Sequence, residues 1–105
     1  MAWVSLFVAG LFEIGWPLGL KLGWTEEGVR PWWIVFSIVC MTISGALLLY
    51  AQRYIPMGTA YAVWTGIGAV GAFVVGIFLF GDHTSALRMV SIALVVAGIA
   101  GLKLA

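Results

Sequence analysis

The stretch AWVSLFVAGLFEIGWPLGL, residues 2–20, decides the fold, because it is long and apolar enough to cross a membrane as a helix. Glu13 is the only acidic or basic side chain in it, and the next charge along the chain is Lys21. An ionisable group at the centre of a membrane helix costs at least about 2.5 kcal/mol, so it is usually retained for a task such as carrying ions, protons or cations. The stretch therefore predicts a membrane helix built around one carboxylate.

The composition of the whole chain is that of a membrane protein. Of its 105 residues, 64% are hydrophobic and 9% are charged, whereas a soluble domain has about 25% charged residues. The mean hydropathy is +1.16. The formal net charge is +1 and the five Lys and Arg residues are scattered, so there is no basic patch to bind nucleic-acid phosphates. We therefore expect the lipid bilayer to surround the chain, and we expect no nucleic-acid partner.

Three further apolar runs complete the predicted architecture. Each run has about the 20 residues that a membrane helix needs, and charges, glycines or prolines separate one run from the next. The four predicted spans cover residues 2–20, 32–51, 59–80 and 86–104. Residues 1–105 are therefore predicted to form a single all-α domain with four transmembrane helices.

The charges between the predicted spans do not favour one orientation in the membrane. Lys and Arg in short loops normally mark the cytoplasmic side. The residues on one side are Lys21, Arg30 and Arg88, and those on the other side are Arg53 and Lys103. Three against two is almost balanced. The pattern allows insertion in both orientations, and the alternative is that another feature of the chain determines a single orientation.

Insertion in both orientations would permit an antiparallel homodimer with a two-fold axis in the membrane plane. We expect four helices of about 10 Å diameter to pack into a solid bundle, with little room beside an interior acid. A dimer would enclose a cavity between its protomers and would form an inverted repeat, an arrangement that many transporters have within one chain. The size of the chain therefore favours the dimer.

The residues that share a helix face with Glu13 leave space beside its carboxylate. Residues three and four apart face the same way, which places Gly10, Trp16 and Pro17 on the face of Glu13. Pro17 lacks the N–H group that would bond the Glu13 carbonyl, although proline also occurs in membrane helices for structural reasons alone. Gly10 and Pro17 are candidate pocket or hinge positions.

The third predicted span begins with polar and small residues. Tyr61, Trp64 and Thr65 recur at intervals of three and four, so their O–H and N–H groups share one face and are candidates to orient a carboxylate. Gly66 and Gly68 lie in a run that matches G-x-G-x-x-G, but the dinucleotide-binding motif needs a preceding strand and a βαβ unit. These glycines predict either a hinge or close helix packing.

Two groups of residues carry a resemblance to a known family. The first is Phe12-Glu13 with Trp16 and Lys21, and the second is the tract PMGTAYAVWTGIGA at residues 56–69. With four spans in 105 residues, the chain resembles the small multidrug resistance family over its full length. The tract is more similar to the guanidinium exporters of that family than to its exporters of polyaromatic cations.

The resemblance implies a function and a set of site residues. It implies a proton-coupled antiporter of the bacterial inner membrane that works as an antiparallel homodimer and exports guanidinium or small guanidinyl cations. The implied site residues are Glu13, Trp16, Ser44, Tyr61 and Trp64. Glu13 would bind proton or substrate, and Trp16 and Ser44 would hydrogen-bond its carboxylate. In the fourth span, Ser91 and Gly98 would lie in the dimer interface.

Some features of the chain depart from the family or leave alternatives open. Pro17 stands where the family commonly has a small residue, and this proline would widen the cavity. The pair Trp32-Trp33 is unusual at the start of the second span. Some family members work as paired, non-identical subunits, so a heterodimer is an alternative to the homodimer. A further alternative is an accessory membrane subunit in which Glu13 pairs with a basic residue of another protein.

Two classes of cation are compatible with the implied site residues. Planar guanidinium pairs with a carboxylate through two parallel N–H···O bonds, which a quaternary ammonium ion cannot form. Bulky aromatic cations would instead stack on tryptophan and tyrosine rings. The aromatic residues do not decide between these two classes, so we favour guanidinium or an alkyl-guanidinium on the family resemblance, with export of quaternary ammonium or polyaromatic cations as the alternative. The sole histidine, His83, lies in a loop and no Cys/His cluster is present, so we expect no enzyme, cofactor or metal site.

Overall fold

The computed structural model describes residues 1–105 and consists of four long helices. They are α1 (Ala2–Gly23), α2 (Pro31–Gln52), α3 (Met57–Phe80) and α4 (Ala86–Leu104). All four are long and apolar enough to cross a membrane. The prediction of a membrane protein with four transmembrane helices is confirmed, and the first three helices extend beyond the predicted spans by up to three residues.

Proline, glycine and serine define several helix ends. Pro31 occupies the first turn of α2, where a missing N–H leaves no helical hydrogen bond unmade. Gly81 follows α3 in the left-handed region, with φ 64° and ψ 29°, which glycine adopts without steric cost. Ser85 precedes α4, and its hydroxyl accepts a hydrogen bond from the backbone N–H of Arg88. These short connections make helices that follow one another in sequence antiparallel.

The connection between α1 and α2 is a short β-hairpin, which the sequence pattern does not predict. Strand β1 (Trp24–Thr25) pairs with strand β2 (Gly28–Val29) in antiparallel register. Gly28 has φ 122°, a backbone conformation that other residues rarely adopt. Two-residue strands are too short to show an alternating pattern, so the charged segment predicted only a loop.

α1, α2 and α3 pack against one another, and α4 packs against α3 at the outside of this group. The chain measures 47 × 35 × 16 Å and is therefore flattened along one axis. The expectation that all four helices form one solid bundle is wrong, because α4 has no buried residue. In lipid there is no hydrophobic force to bury α4 among the other helices, because lipid tails are as apolar as the helix surfaces.

The apolar core lies at the end of the molecule that holds both termini and the α2–α3 connection. The buried residues of this cluster are Leu6, Ala51, Ile55, Ala60 and Val63. They come from the start of α1, the end of α2, the α2–α3 connection (Ile55) and the start of α3. The hairpin and the α3–α4 connection lie at the opposite end, which we call the hairpin end.

Glycines at four-residue intervals let α1 and α2 approach closely. They are Gly15, Gly19 and Gly23. A β-carbon at Gly15 would lie 2.6 Å from the sulfur of Cys40, and one at Gly23 would lie 2.6 Å from the side chain of Ile34. This is the small-residue spacing that membrane helices use to pack. We did not predict this contact, although the G-x-x-x-G spacing is present in residues 15–23.

Serine side chains connect α1 to α2 through three interhelical hydrogen bonds of 2.7 to 2.9 Å. They run from Ser5 to the Leu47 carbonyl, from Ser37 to the Trp16 carbonyl and from Ser44 to the Ala9 carbonyl. Interhelical hydrogen bonds in membranes average about 0.6 kcal/mol each. Because a carbonyl oxygen has two lone pairs, it can accept such a bond in addition to its helical one. The three bonds hold α1 in register against α2.

Candidate functional site

Glu13 lies near the middle of α1 and is partly buried. The indole Nε1 of Trp16, one turn later on the same helix, donates to Oε1 of Glu13 at 2.5 Å. The side chain of Glu13 lies against α3 at Gly68, where a β-carbon would be 2.6 Å from its Cγ. The structure therefore brings Glu13, Trp16 and Gly68 together, and only glycine leaves the carboxylate room on the α3 side.

No basic side chain lies within ion-pair distance of Glu13. The two ion pairs of the chain are formed by Lys21 with Asp82, at 4.0 Å, and by Arg30 with Glu27, at 3.3 Å. Both pairs are at the hairpin end, away from the middle of α1. The carboxylate of Glu13 therefore has one hydrogen-bond donor within the chain and no charged partner.

Ser44 and Trp64 form a second polar pair, one turn from Glu13. Nε1 of Trp64 donates to the Ser44 hydroxyl at 2.8 Å, and that hydroxyl donates to the Ala9 carbonyl at 2.7 Å. In contrast to the prediction, Ser44 does not hydrogen-bond the Glu13 carboxylate, because Ala9 takes its single hydroxyl hydrogen. The two bonds connect α3 through α2 to α1, at a residue four positions before Glu13.

The other donors predicted on this face of α3 are also used elsewhere or exposed. The Thr65 hydroxyl donates to the Tyr61 carbonyl at 2.8 Å, within its own helix. Threonine in a helix often bonds the carbonyl of the preceding turn, which is why the predicted bond to a carboxylate does not form. Tyr61 is 56% exposed, and its ring centroid lies 5.5 Å from that of Trp64. The two rings form an aromatic surface rather than a set of donors.

The remaining candidate pocket or hinge positions have packing roles in the structure. A β-carbon at Gly10 would lie 2.6 Å from the side chain of Ile67, and one at Gly66 would lie 2.9 Å from that of Ile99 on α4. Gly66 therefore faces away from Glu13, towards α4. Pro17 lies inside α1, which continues as a helix to Gly23. These glycines admit side chains of neighbouring helices, and a hinge at any of these positions stays a prediction.

The helix that carries Ser91 and Gly98 packs against α3 on one face and is exposed on the rest of its surface. No residue of α4 is buried. A β-carbon at Gly98 would meet no atom within 4 Å, and the Ser91 hydroxyl donates only to its own helix, at the Leu87 carbonyl. A helix face with small residues and no neighbour is suited to pack against another helix in the membrane. Contact of this face with a second protomer stays a prediction.

Two clefts open at the hairpin end, and neither contains Glu13. A cleft of about 630 Å³ lies between α3 and α4, with Asp82 and Arg88 at its polar side. A smaller cleft of about 130 Å³ lies between α1 and α3 and includes Pro17 and Lys21. A single protomer therefore does not enclose the carboxylate in either cleft.

Comparison with known proteins gives a consistent result over the whole chain. The family model for Small Multidrug Resistance proteins matches residues 1–95. A protein described as "Guanidinium exporter" from Citrobacter freundii is 50% identical over 104 residues, which is 99% of this chain and 97% of the relative. Proteins of the same description from Salmonella typhi and Escherichia coli (strain K12) are 50% and 49% identical over the same length. The similarity extends across all four helices.

Proposed function

The chain belongs to the small multidrug resistance family and is a multi-pass protein of the bacterial inner membrane, and from that premise we propose that it exports guanidinium or a small guanidinyl cation in exchange for protons. The observation that carries this proposal is the partly buried Glu13, which accepts one hydrogen bond from Trp16 and has no basic partner in the chain. Relatives that are 49–50% identical are described as guanidinium exporters, which supports the substrate class.

The geometry around Glu13 suits a small planar cation. A carboxylate has about four lone-pair sites, and Trp16 uses only one of them. Guanidinium presents parallel N–H groups that match the two oxygens of a carboxylate, and such charge-assisted bonds are about twice as strong as neutral ones. The rings of Tyr61 and Trp64, on the face of α3 that includes Gly68, offer an aromatic surface to a cation.

Competition for one carboxylate supplies the coupling in this proposal. A protonated Glu13 is neutral and does not hold a cation, and a cation on the ionised carboxylate excludes the proton. If only the loaded states change sides of the membrane, each inward proton is exchanged for outward cargo. An inward proton gradient then drives the cation out without a second binding site.

We further propose that the working unit is an antiparallel homodimer. The nearly balanced Lys and Arg residues, three against two, permit both orientations. The single chain measures 16 Å along its shortest axis, α4 has no buried residue, and Glu13 lies outside the two clefts at the hairpin end. A second copy in the opposite orientation would enclose two Glu13 carboxylates between the protomers and would cover α4.

Currents from reconstituted protein test the transport function. The purified chain in liposomes is expected to give currents on addition of guanidinium, and Glu13→Gln is expected to abolish them because the neutral amide holds neither proton nor cation. Glu27→Gln makes the same chemical change in the exposed hairpin and is expected to leave the currents unchanged. Equal currents from wild type and Glu13→Gln would contradict the proposal.

The same assay separates the alternatives. Tetrapropylammonium currents larger than those of guanidinium would favour a broader cation exporter, since a quaternary ammonium has no N–H donors for the carboxylate. An accessory subunit would give no current with either cation, and Glu13→Gln would leave its assembly with a partner protein intact.

A further inference from the structure

One backbone hydrogen bond is missing from α1 beside the carboxylate. Pro17 lies inside α1 and has no N–H group, so the Glu13 carbonyl has no donor four residues later. The same stretch of helix carries Trp16, whose indole donates to the Glu13 carboxylate. A membrane helix is free to bend at a proline unless a neighbouring helix holds it. The direction of the indole therefore depends on what contacts α1 at this point.

Ser37 of α2 contacts α1 at this point. Its hydroxyl donates at 2.8 Å to the Trp16 carbonyl, which belongs to the peptide bond that joins Trp16 to Pro17. Ser37 is 2% exposed, so the bond is shielded from water. Among the three serine bonds between α1 and α2, this is the one made to the backbone of a residue that itself bonds the Glu13 carboxylate.

Gly19 makes the approach of Ser37 possible. A β-carbon at Gly19 would overlap the Ser37 hydroxyl and would lie 2.8 Å from the Trp33 carbonyl oxygen. Gly19 is itself buried. Even alanine at this position would push the hydroxyl of Ser37 away from α1 while leaving that hydroxyl present.

We propose that Ser37 is a positioning residue for the Glu13–Trp16 pair. Its bond to the Trp16 carbonyl fixes the backbone at the Trp16–Pro17 peptide and thereby holds the indole N–H on the carboxylate. This inference rests on the proposed function, because it specifies how the cation affinity of the carboxylate is set. Since Ser37 lies on α2, a shift of α2 along α1 would change the direction of Trp16 and so the binding geometry.

The spectroscopic test follows the indole of Trp16 directly. The chain has six tryptophans, and protein with ¹⁵N-labelled tryptophan in phospholipid bicelles gives one indole N–H signal for each, with Trp16 assigned by Trp16→Phe. The Trp16 signal is expected to shift in Ser37→Ala, which removes the hydroxyl, and in Gly19→Ala, which displaces it. Ser5→Ala is the matched control, because it removes another serine bond between α1 and α2 that does not involve Trp16.

The functional test is the concentration dependence of guanidinium transport in liposomes. Ser37→Ala is expected to raise KM for guanidinium by about three- to tenfold, the scale of one interhelical hydrogen bond in a membrane, with little change in maximal rate. Ser5→Ala is expected to keep the KM of the wild type. A merely structural role for Ser37 would lower the amount of folded protein without changing KM or the Trp16 signal.

The proposal and the function that it rests on fail in different ways. An unchanged Trp16 signal in Ser37→Ala would overturn the role of Ser37, as would equal shifts in Ser37→Ala and Ser5→Ala. If Ser37→Ala does not fold, Ser37→Cys can replace it, because cysteine keeps a weak donor of similar size. Ser37→Cys is expected to shift the Trp16 signal by a smaller amount. No shift of that signal would overturn the positioning role of Ser37. A wild type that transports no guanidinium would contradict the proposed function, while the Trp16 signal would still decide the role of Ser37.

Discussion

At the scale of single residues, the surroundings of Glu13 depend on a glycine that leaves space as much as on a side chain that donates a hydrogen bond. Trp16 supplies the one hydrogen bond to the carboxylate, and Gly68 leaves the space in which the Glu13 side chain lies against α3. The polar groups of Ser44, Trp64 and Thr65 bond one another or the backbone. The free lone pairs of the carboxylate are therefore available to a ligand.

Alanine at position 68 tests the space beside the carboxylate. A β-carbon at Gly68 would be 2.6 Å from Cγ of Glu13, so Gly68→Ala should push the carboxylate away from Trp16 and lower guanidinium flux about ten- to hundredfold, the scale of a lost hydrogen bond to a charged group. Flux into liposomes measures the effect. Gly58→Ala, in the same helix with no atom within 4 Å of its β-carbon, should transport normally. Normal flux in Gly68→Ala would show that the carboxylate does not need this space.

At the scale of elements, the contact between α1 and α2 combines close packing with hydrogen bonds. The glycine repeat of α1 brings the helices together, and serines from both helices then reach carbonyls of the partner helix. In lipid, where apolar contact gives little net gain, these are the interactions that stabilise helix pairs. The α1–α2 pair therefore forms the most extensive helix contact of the protomer, and α4 is the helix with no buried residue.

A double-substitution experiment tests the packing of this helix pair. Gly15→Ala would place a β-carbon 2.6 Å from the sulfur of Cys40 and should destabilise the protein by about 1–3 kcal/mol, as overpacking does. Cys40→Ala removes that sulfur, so the double variant should recover part of the loss. Thermal unfolding in detergent measures both changes. Gly45→Ala is the control, because a β-carbon at Gly45 would meet nothing within 4 Å, and it should unfold like the wild type. If the stability changes caused by Gly15→Ala and Cys40→Ala simply add in the double variant, the predicted contact is contradicted.

At the scale of the whole molecule, the flattened shape and the nearly balanced Lys and Arg residues both favour the proposed antiparallel homodimer. The molecule is flattened along one axis, and neither cleft at its hairpin end contains Glu13. The Lys and Arg residues lie at the two ends of the helices, with Lys21 beside Asp82 at the hairpin end and Lys103 over the ring of Trp3 at the other end. Their near balance lets small changes in charge decide the orientation.

Added lysines test whether the chain inserts in both orientations. A carboxy-terminal reporter that is active only in the cytoplasm and one that is active only outside it should both report activity for the wild type. Thr25→Lys with Glu26→Lys adds positive charge at the hairpin end and should silence one reporter, because Lys in short loops is retained in the cytoplasm. Gln52→Lys with Ala105→Lys, at the opposite end, should silence the other. Activity of a single reporter in the wild type would exclude dual insertion.

The sequence by itself determined the four membrane helices, since the length and hydropathy of each run leave few alternatives, and it singled out Glu13, because one acid in an apolar span is conspicuous. It could also have revealed the glycine repeat of residues 15–23. Only the tertiary structure decided where the donors of Ser44 and Thr65 are used, that Gly68 and Gly66 face different helices, and that α4 lies outside the packing of the other three helices. Helical spacing shows which residues share a face, whereas the partner of that face depends on packing between segments distant in sequence.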